Sequence, residues 1–563
     1  MTAAPQWPNS PGAFAGLRSR DGVLTTLRYG LRTHRWALAG VALLGFLSPY
    51  TAGASYLAAA GTAAARANFG RQTLALGPQL AYLIPLPLRP DTVAGYLWWK
   101  GLTWMTLVFA AWGLAAATGA IRQEEERGLM EAWLASPLGR VRLVLSRAAA
   151  FALAAAAAVV ITGLGTAAGL AAGKGSIGPG ALVEQALPLL GIALVCFGAG
   201  LVAAQVATTR RGAVGLGGSV LLALYALDAV ARVNRGLDGV AAVSPFHLAD
   251  LTTAVVPGGR FEGAPTLALY LIAAVLIALG VAAFRERDLG ASLLPPRVAT
   301  ASVRRSPSAS PFLRLPVLRS LWQQRLGLIG WVLGTMVGAA LIVSLARSTG
   351  KLLGSASGFT RFVQAAGTSN AATAVVSSVW LSIAALIVAA YAINQTAHWA
   401  AEDAEGRLEM EIAQPVPRWA VVAERCATLM VGALLVTALG SVVAAAVAPG
   451  QGVHLDPGRL LLATALLALL ALTFGALGAL VIARLPRVAV PALGVVAVAG
   501  FYLPLLAPLL RWPSWALDLS LFHLYGTPLT AGVYWNGLWV MVAVVVLGFG
   551  GAMAEMRVRE VGR

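Results

Sequence analysis

Twelve apolar runs of about 20 residues recur along the chain, and a run of that length gives one helix able to cross the roughly 30 Å hydrocarbon core of a bilayer. They fall at 36–55, 95–119, 141–170, 182–207, 213–231, 264–284, 328–346, 373–397, 419–447, 458–483, 488–510 and 533–553. The runs are rich in Ala, Leu, Val and Gly and continuously apolar, without the period-two alternation of barrel strands. The fold expected is an all-α polytopic membrane protein of about 12 transmembrane helices. With 58% hydrophobic and 11% charged residues in 563, the chain fits neither a soluble enzyme nor a soluble binding module.

A formal net charge of +18 would suggest nucleic acid in a soluble chain. Here Lys and Arg punctuate the apolar runs instead of forming one patch, so no nucleic-acid partner is expected. The first 20 residues lack the apolar core of a signal peptide, which predicts a cytoplasmic N-terminus. On that orientation about 28 Lys and Arg face inward and about 13 outward, as the positive-inside rule requires. All three lysines (Lys100, Lys174, Lys351) fall outside. Both termini are then cytoplasmic. Cys196 and Cys426 lie in or beside apolar runs without ligand spacing, so neither a disulfide nor a zinc site is expected.

Residues 289–312, rich in Pro, Ser and Arg, read as a flexible linker between a first six-span half, 1–288, and a second, 313–563. Ahead of the first run, residues 21–35 carry Leu24, Leu27 and Leu31 at helical spacing opposite Arg28, Arg32 and Arg35, as in a helix lying at the inner interface. Residues 314–327 repeat that character before the seventh run.

The halves also resemble each other. EEERGLMEAWLASPLGRVRLVLSR (124–147) and EDAEGRLEMEIAQPVPRWAVVAER (402–425) align at an offset of 278, pairing Glu124 with Glu402, Gly128 with Gly406, Glu131 with Glu409, Pro137 with Pro415, Arg140 with Arg418 and Arg147 with Arg425. Phe197-Gly198-Ala199 matches Phe474-Gly475-Ala476, and Phe246-His247-Leu248 matches Phe522-His523-Leu524, at offsets of 277 and 276. Six spans per half make both copies run the same way through the membrane, related by an axis along its normal.

The two aligned segments concentrate acidic residues: Glu124, Glu125, Glu126, Glu131, Glu402, Asp403, Glu405, Glu409 and Glu411. An acidic start suits a helix N-terminus, and apolar residues follow (Leu129, Met130, Trp133, Leu134; Leu408, Ile412). Pro137 and Pro415 suit the first turn of the next span, and Arg140, Arg142 and Arg418 anchor it at the inner headgroups. A short amphipathic helix with an exposed Trp133 ringed by carboxylates is the form of a protein-docking site.

The same residues carry a family resemblance. Glu125, Gly128, Glu131, Pro137 and Arg140 resemble the E-x-x-G-x-x-E-x-x-x-x-x-P-x-x-R signature of type-2 ABC exporter permeases. The second copy keeps Gly406, Glu409, Pro415 and Arg418, with Asp403 in place of the glutamate and Pro417 before the arginine. In its double length the chain is similar to the polyketide-antibiotic (tetronasin-type) export permease subunits of actinobacteria. The resemblance implies coupling segments at about 121–140 and 399–418, with Glu124, Glu126, Trp133 and Glu402 among the coupling residues. It implies a separate ABC-type nucleotide-binding ATPase in two copies, carrying the ATP and Mg, while this chain binds no cofactor and is no enzyme. It also implies outward transport of hydrophobic compounds across a bacterial plasma membrane. The nearest phosphate-loop candidate, GLAAGKGS (169–176), has Gly175 where that loop needs Ser or Thr.

Phe246, His247, Phe522 and His523 are matched residues of outer connections, either turns or part of a substrate pathway; Asp250 is the nearest carboxylate to His247. Asp228, near one end of the fifth run, is costly inside a membrane unless paired or wet. It can pair with Arg232 four residues on or face a substrate cavity. The rival functions are a 12-span ion-coupled secondary transporter, which needs intramembrane carboxylates such as Asp228, an ABC exporter of lipid or cell-wall precursors, and a polytopic membrane enzyme.

Overall fold

In the computed structural model each of these runs coincides with a helix over its described residues, and the described residues contain no strand. The structure describes residues 19–81, 84–135, 138–293, 315–347, 372–373, 376–404, 406–413 and 417–558. Among them, twelve helices are long and apolar enough to span a bilayer: α1 Gly22–Leu57, α2 Val93–Glu126, α3 Arg140–Ala172, α4 Pro179–Val206, α5 Arg210–Ala231, α6 Gly263–Glu286, α7 Arg325–Ser344, α8 Val376–Asp403, α9 Arg418–Gln451, α10 Pro457–Arg484, α11 Val488–Ala507 and α12 Trp535–Arg557. The chain is a multi-pass membrane protein. Several helices outrun their apolar stretch because charged ends such as Glu124–Glu126 continue the same backbone.

Two compact units form, Met1–Leu57 with Gly77–Ala301 and Ala58–Leu76 with Ser302–Arg563. In the first, α4 is central and packs along α2 and α6. That approach depends on small residues: a Cβ on Gly113 of α2 would lie 2.4 Å from the carbonyl oxygen of Ala193 on α4. Lipid gives helices no hydrophobic reason to associate, so close packing of this kind supplies the attraction. Phe151 and Phe197 stack at 4.5 Å in the same core. In the second unit α10 holds the central place, along α8, α9 and α12, around Trp380, Tyr391 and Phe474.

The repeat reaches fine detail. α2 and α8 each contain a π-helical turn, Trp98–Leu102 and Val376–Trp380, at the offset of 278. At the offset of 276, the Ser244 hydroxyl donates to the Leu224 carbonyl at 2.9 Å and the Ser520 hydroxyl to the Gly500 carbonyl at 2.6 Å. Tyr225 and Phe246 meet edge-to-face at 5.2 Å, as Phe501 and Phe522 do at 5.9 Å.

Residues 21–35 depart from expectation. They are helical, but they begin a single helix, Ser19–Ala59, that runs on into the first span. Nothing between Asp21 and Trp36 interrupts the backbone ladder, so cooperative helix formation carries through. The buried face is Gly22, Thr26, Gly30 and His34, whose small members admit Leu138 and Ala150, while Leu24 is exposed. In the second half Pro316–Gln323 is a separate short helix, ending at Gln324 before α7. The linker from residue 294 onward lies outside the described residues.

Candidate functional site

Short helices, Leu129–Leu134 and Arg407–Ile412, occupy the two acidic segments. A glycine with left-handed backbone precedes each, Gly128 at φ 68° and Gly406 at φ 70°. The Gly128 amide donates to the Glu125 carbonyl at 2.9 Å, and the Gly406 amide to the Asp403 carbonyl at 3.3 Å. Glycine takes this conformation without the strain a Cβ brings, which accounts for the glycine of the signature.

The acidic cluster closes one helix instead of opening the next, contrary to expectation. Carboxylates at a helix C-terminus oppose its dipole and need cationic partners. Both oxygens of buried Glu124 accept from Arg147 at 2.8 Å. Glu125 accepts from Arg122 at 2.7 Å and from Arg287. Glu126 accepts from the backbone amide of Arg210, at the start of α5, at 2.7 Å.

Arg122 is fully buried, donating also to the Ala204 carbonyl at 2.5 Å and the Ala291 carbonyl at 2.7 Å. Arg287 donates to Gln205 Oε1 at 2.9 Å. This lattice fastens the end of α2 to the ends of α4 and α6. Local sequence pattern does not single out Arg122, Gln205 or Arg287. The available signal was an arginine just past the end of an apolar run, three residues before a glutamate.

Arg147 lies over the rings of Tyr29, at 4.5 Å, and Trp133, at 5.1 Å, which meet edge-on at 5.0 Å. Trp133 is therefore half-buried and not an exposed anchor; its ring shields a desolvated guanidinium. Glu126, Arg127 and Glu131 remain exposed. Arg140 donates to the carbonyls of Phe284, Arg285 and Arg287 at 3.3, 3.1 and 2.6 Å, capping the end of α6. Pro137 lies outside the described residues.

The second unit keeps part of this. Arg425 donates to Glu402 at 2.8 Å, and Arg418 to the Met556 carbonyl, at the end of α12, at 3.4 Å. Asp403 is half-buried, while Glu409 and Met410 are exposed. Glu405 and Pro415 lie outside the described residues. Ala400 and Ile482 stand where the first half has Arg122 and Gln205. There, a cavity of about 20 Å³ is bordered by Trp399, Arg425, Ile482 and Met556.

At the far end of α5, buried Asp228 accepts from Arg232 and lies 3.0 Å from His247 Nδ1. Arg232 also donates to Asp250 at 2.7 Å and lies over the Tyr225 ring at 5.4 Å. Candidates that were separate in sequence thus form one cluster. Within it Asp250 borders a cavity. Burial pushes the Asp250 carboxyl up to about 7, against the opposing pull of Arg232. Phe246 is buried; Phe522 is half-buried, 5.8 Å from the Phe474 ring. His523 lies 3.8 Å from Asp518 and edge-on to Tyr534 at 5.8 Å. Pro504 and Pro508 hold the positions of Asp228 and Arg232, so the cluster belongs to the first half alone.

The family defined by the multidrug efflux system permease Rv1217c, C-terminal domain, matches residues 92–285 and 313–557. The chain belongs to that family. No curated protein gave a significant match. The matched stretches of this efflux permease hold both acidic segments, Arg122 and Gln205 of the arginine lattice and the Asp228 cluster, while α1 precedes them and Arg287 lies between them.

Proposed function

We propose that this permease is the membrane-spanning subunit of an ATP-driven ABC exporter, moving hydrophobic compounds such as polyketide antibiotics outward, with a separate ATPase dimer engaged through the two acidic segments. The observation that carries the reading is the duplicated pattern of left-handed glycine, short helix and outward glutamate, Gly128 to Glu131 and Gly406 to Glu409. A coupling element must offer a surface to its partner and be rooted firmly enough to pass a displacement into the bundle. Glu131 and Glu409 serve the first need. Glu124–Arg147 serves the second, and Glu402–Arg425 is its more exposed counterpart. The family's efflux role supports the direction of transport.

The test is purification from native membranes, comparing wild type with the Glu131→Lys, Glu409→Lys double variant. Wild type should retain an ATP-binding subunit that the variant loses while keeping the same melting midpoint. Intact wild type that carries no ATPase would overturn the reading and leave an ion-coupled carrier, for which the Asp228 cluster would be the natural coupling group.

A further inference from the structure

We propose that the first half carries a pocket for a primary ammonium group, built from Asp250, Gln185, Thr103 and Thr106, so that ammonium-bearing amphiphiles are among the permease's cargoes. The cargo statement rests on the efflux reading above; the binding itself does not.

Between α2, α4 and the short helix Pro245–Asp250 lies a cavity of about 30 Å³, bordered by these four residues and by Trp98. That is room for one water-sized group. The hydroxyl hydrogens of its two threonines are already committed. The Thr103 hydroxyl donates to the Trp99 carbonyl at 2.6 Å, and the Thr106 hydroxyl to the Thr103 carbonyl at 2.7 Å. Gln185 Nε2 donates to the Thr252 carbonyl at 3.3 Å, which leaves its buried Oε1 without a donor. Asp250 adds a carboxylate. These oxygens offer lone pairs without hydrogens, and an ammonium group brings three donors and a positive charge.

The repeat shows that the fold does not require these side chains. At the equivalent positions of the second half stand Leu381, Ala384, Leu462 and Gly526, for Thr103, Thr106, Gln185 and Asp250. Four polar residues converge in one copy where the other needs none. The π-helical turn Trp98–Leu102 contributes Trp98 and Leu102 to the wall. A second cavity of about 20 Å³ shares Leu102, Gln185 and Leu189 with the first, and Val159 and Leu182 make its lining mostly apolar.

Protons compete for the same carboxylate. Asp250 faces Arg232, Asp228 and Tyr225 from α5 and His247 from its own helix, and α2 and α4 present it with neutral side chains. Affinity for an ammonium probe should therefore fall as the pH drops below about 7.

The test uses purified permease in phosphatidylcholine nanodiscs, without ATPase, and calorimetry against empty discs. Its probes are hexylammonium, hexyltrimethylammonium and hexanol. Wild type should bind hexylammonium at least about tenfold more tightly than either analogue, a factor worth 1.4 kcal/mol. Asp250→Asn and Gln185→Leu should each abolish the preference. If Asp250→Asn fails to fold, Gln185→Leu, which breaks no ion pair, decides alone. Equal affinity for the three probes, a preference surviving Gln185→Leu, or displacement of hexylammonium by equimolar sodium would overturn the proposal. Ammonium binding with no ATPase on the native protein would instead sink only the exporter reading.

Discussion

Replacing Glu124 by glutamine keeps its shape and removes the counter-charge of Arg147. The side chains of Arg147 and Glu124 are 3% and 7% exposed, and the Arg147 Nε already lacks an acceptor. After Glu124→Gln the guanidinium would stand desolvated between Tyr29 and Trp133 with its charge unbalanced. Breaking one side of a buried pair costs about 3–5 kcal/mol. The repeat supplies an internal control, because Glu402–Arg425 has the same 23-residue spacing but exposures of 36% and 13% and one close contact. Water screens that pair, so Glu402→Gln should cost about 1 kcal/mol or less. Denaturant unfolding in mixed micelles, followed by tryptophan fluorescence, reads both. Glu124→Gln should unfold at clearly lower denaturant than Glu402→Gln. The double change Glu124→Gln, Arg147→Met should recover part of the loss by removing the orphaned charge. Equal losses at Glu124 and Glu402 would refute the claim that burial separates the two pairs.

Gly128→Ala and Gly406→Ala should each cost about 1–2 kcal/mol through backbone strain, since nothing lies within 4 Å of either added Cβ. Faster hydrogen exchange confined to the short helices that follow would register this, and unchanged exchange would count against it. For Asp250, the folded value of about 7 lies above the ordinary 3.8, so between the two the folded chain holds a proton that the unfolded chain has lost. This group's contribution to stability is complete below about pH 4 and disappears as the pH rises to about 7. Asp250→Asn should flatten that stretch of the melting-midpoint profile; a slope identical to wild type would show that another group sets it.

The spans were legible because the bilayer leaves a chain few choices: continuous apolarity over about 20 residues already decides for a helix. The repeat was legible because Glu124 to Arg147 and Glu402 to Arg425 keep spacing as well as residue type. The direction in which the carboxylates face was not. Local pattern places Glu124, Glu125 and Glu126 at a helix end, but their partners lie 23, 162 and 84 residues away, at Arg147, Arg287 and Arg210. Trp133 misled for the same reason, since the ring and guanidinium that cover it come from α1 and α3. The continuity of residues 21–35 with the first span was hidden by their charge, because Arg28, Arg32 and Arg35 look interfacial whether or not the helix continues.

The arginine lattice at Arg122 and the cavity at Trp399 are two solutions to one position in a duplicated plan. In a dimer of identical chains every substitution is made twice, and a change that stiffens one side stiffens the other. Joining the copies in one polypeptide lifts that constraint. One half can acquire buried guanidinium ties and a polar pocket while its twin stays apolar at the same positions, and a new cargo preference can evolve in one copy without rebuilding the other.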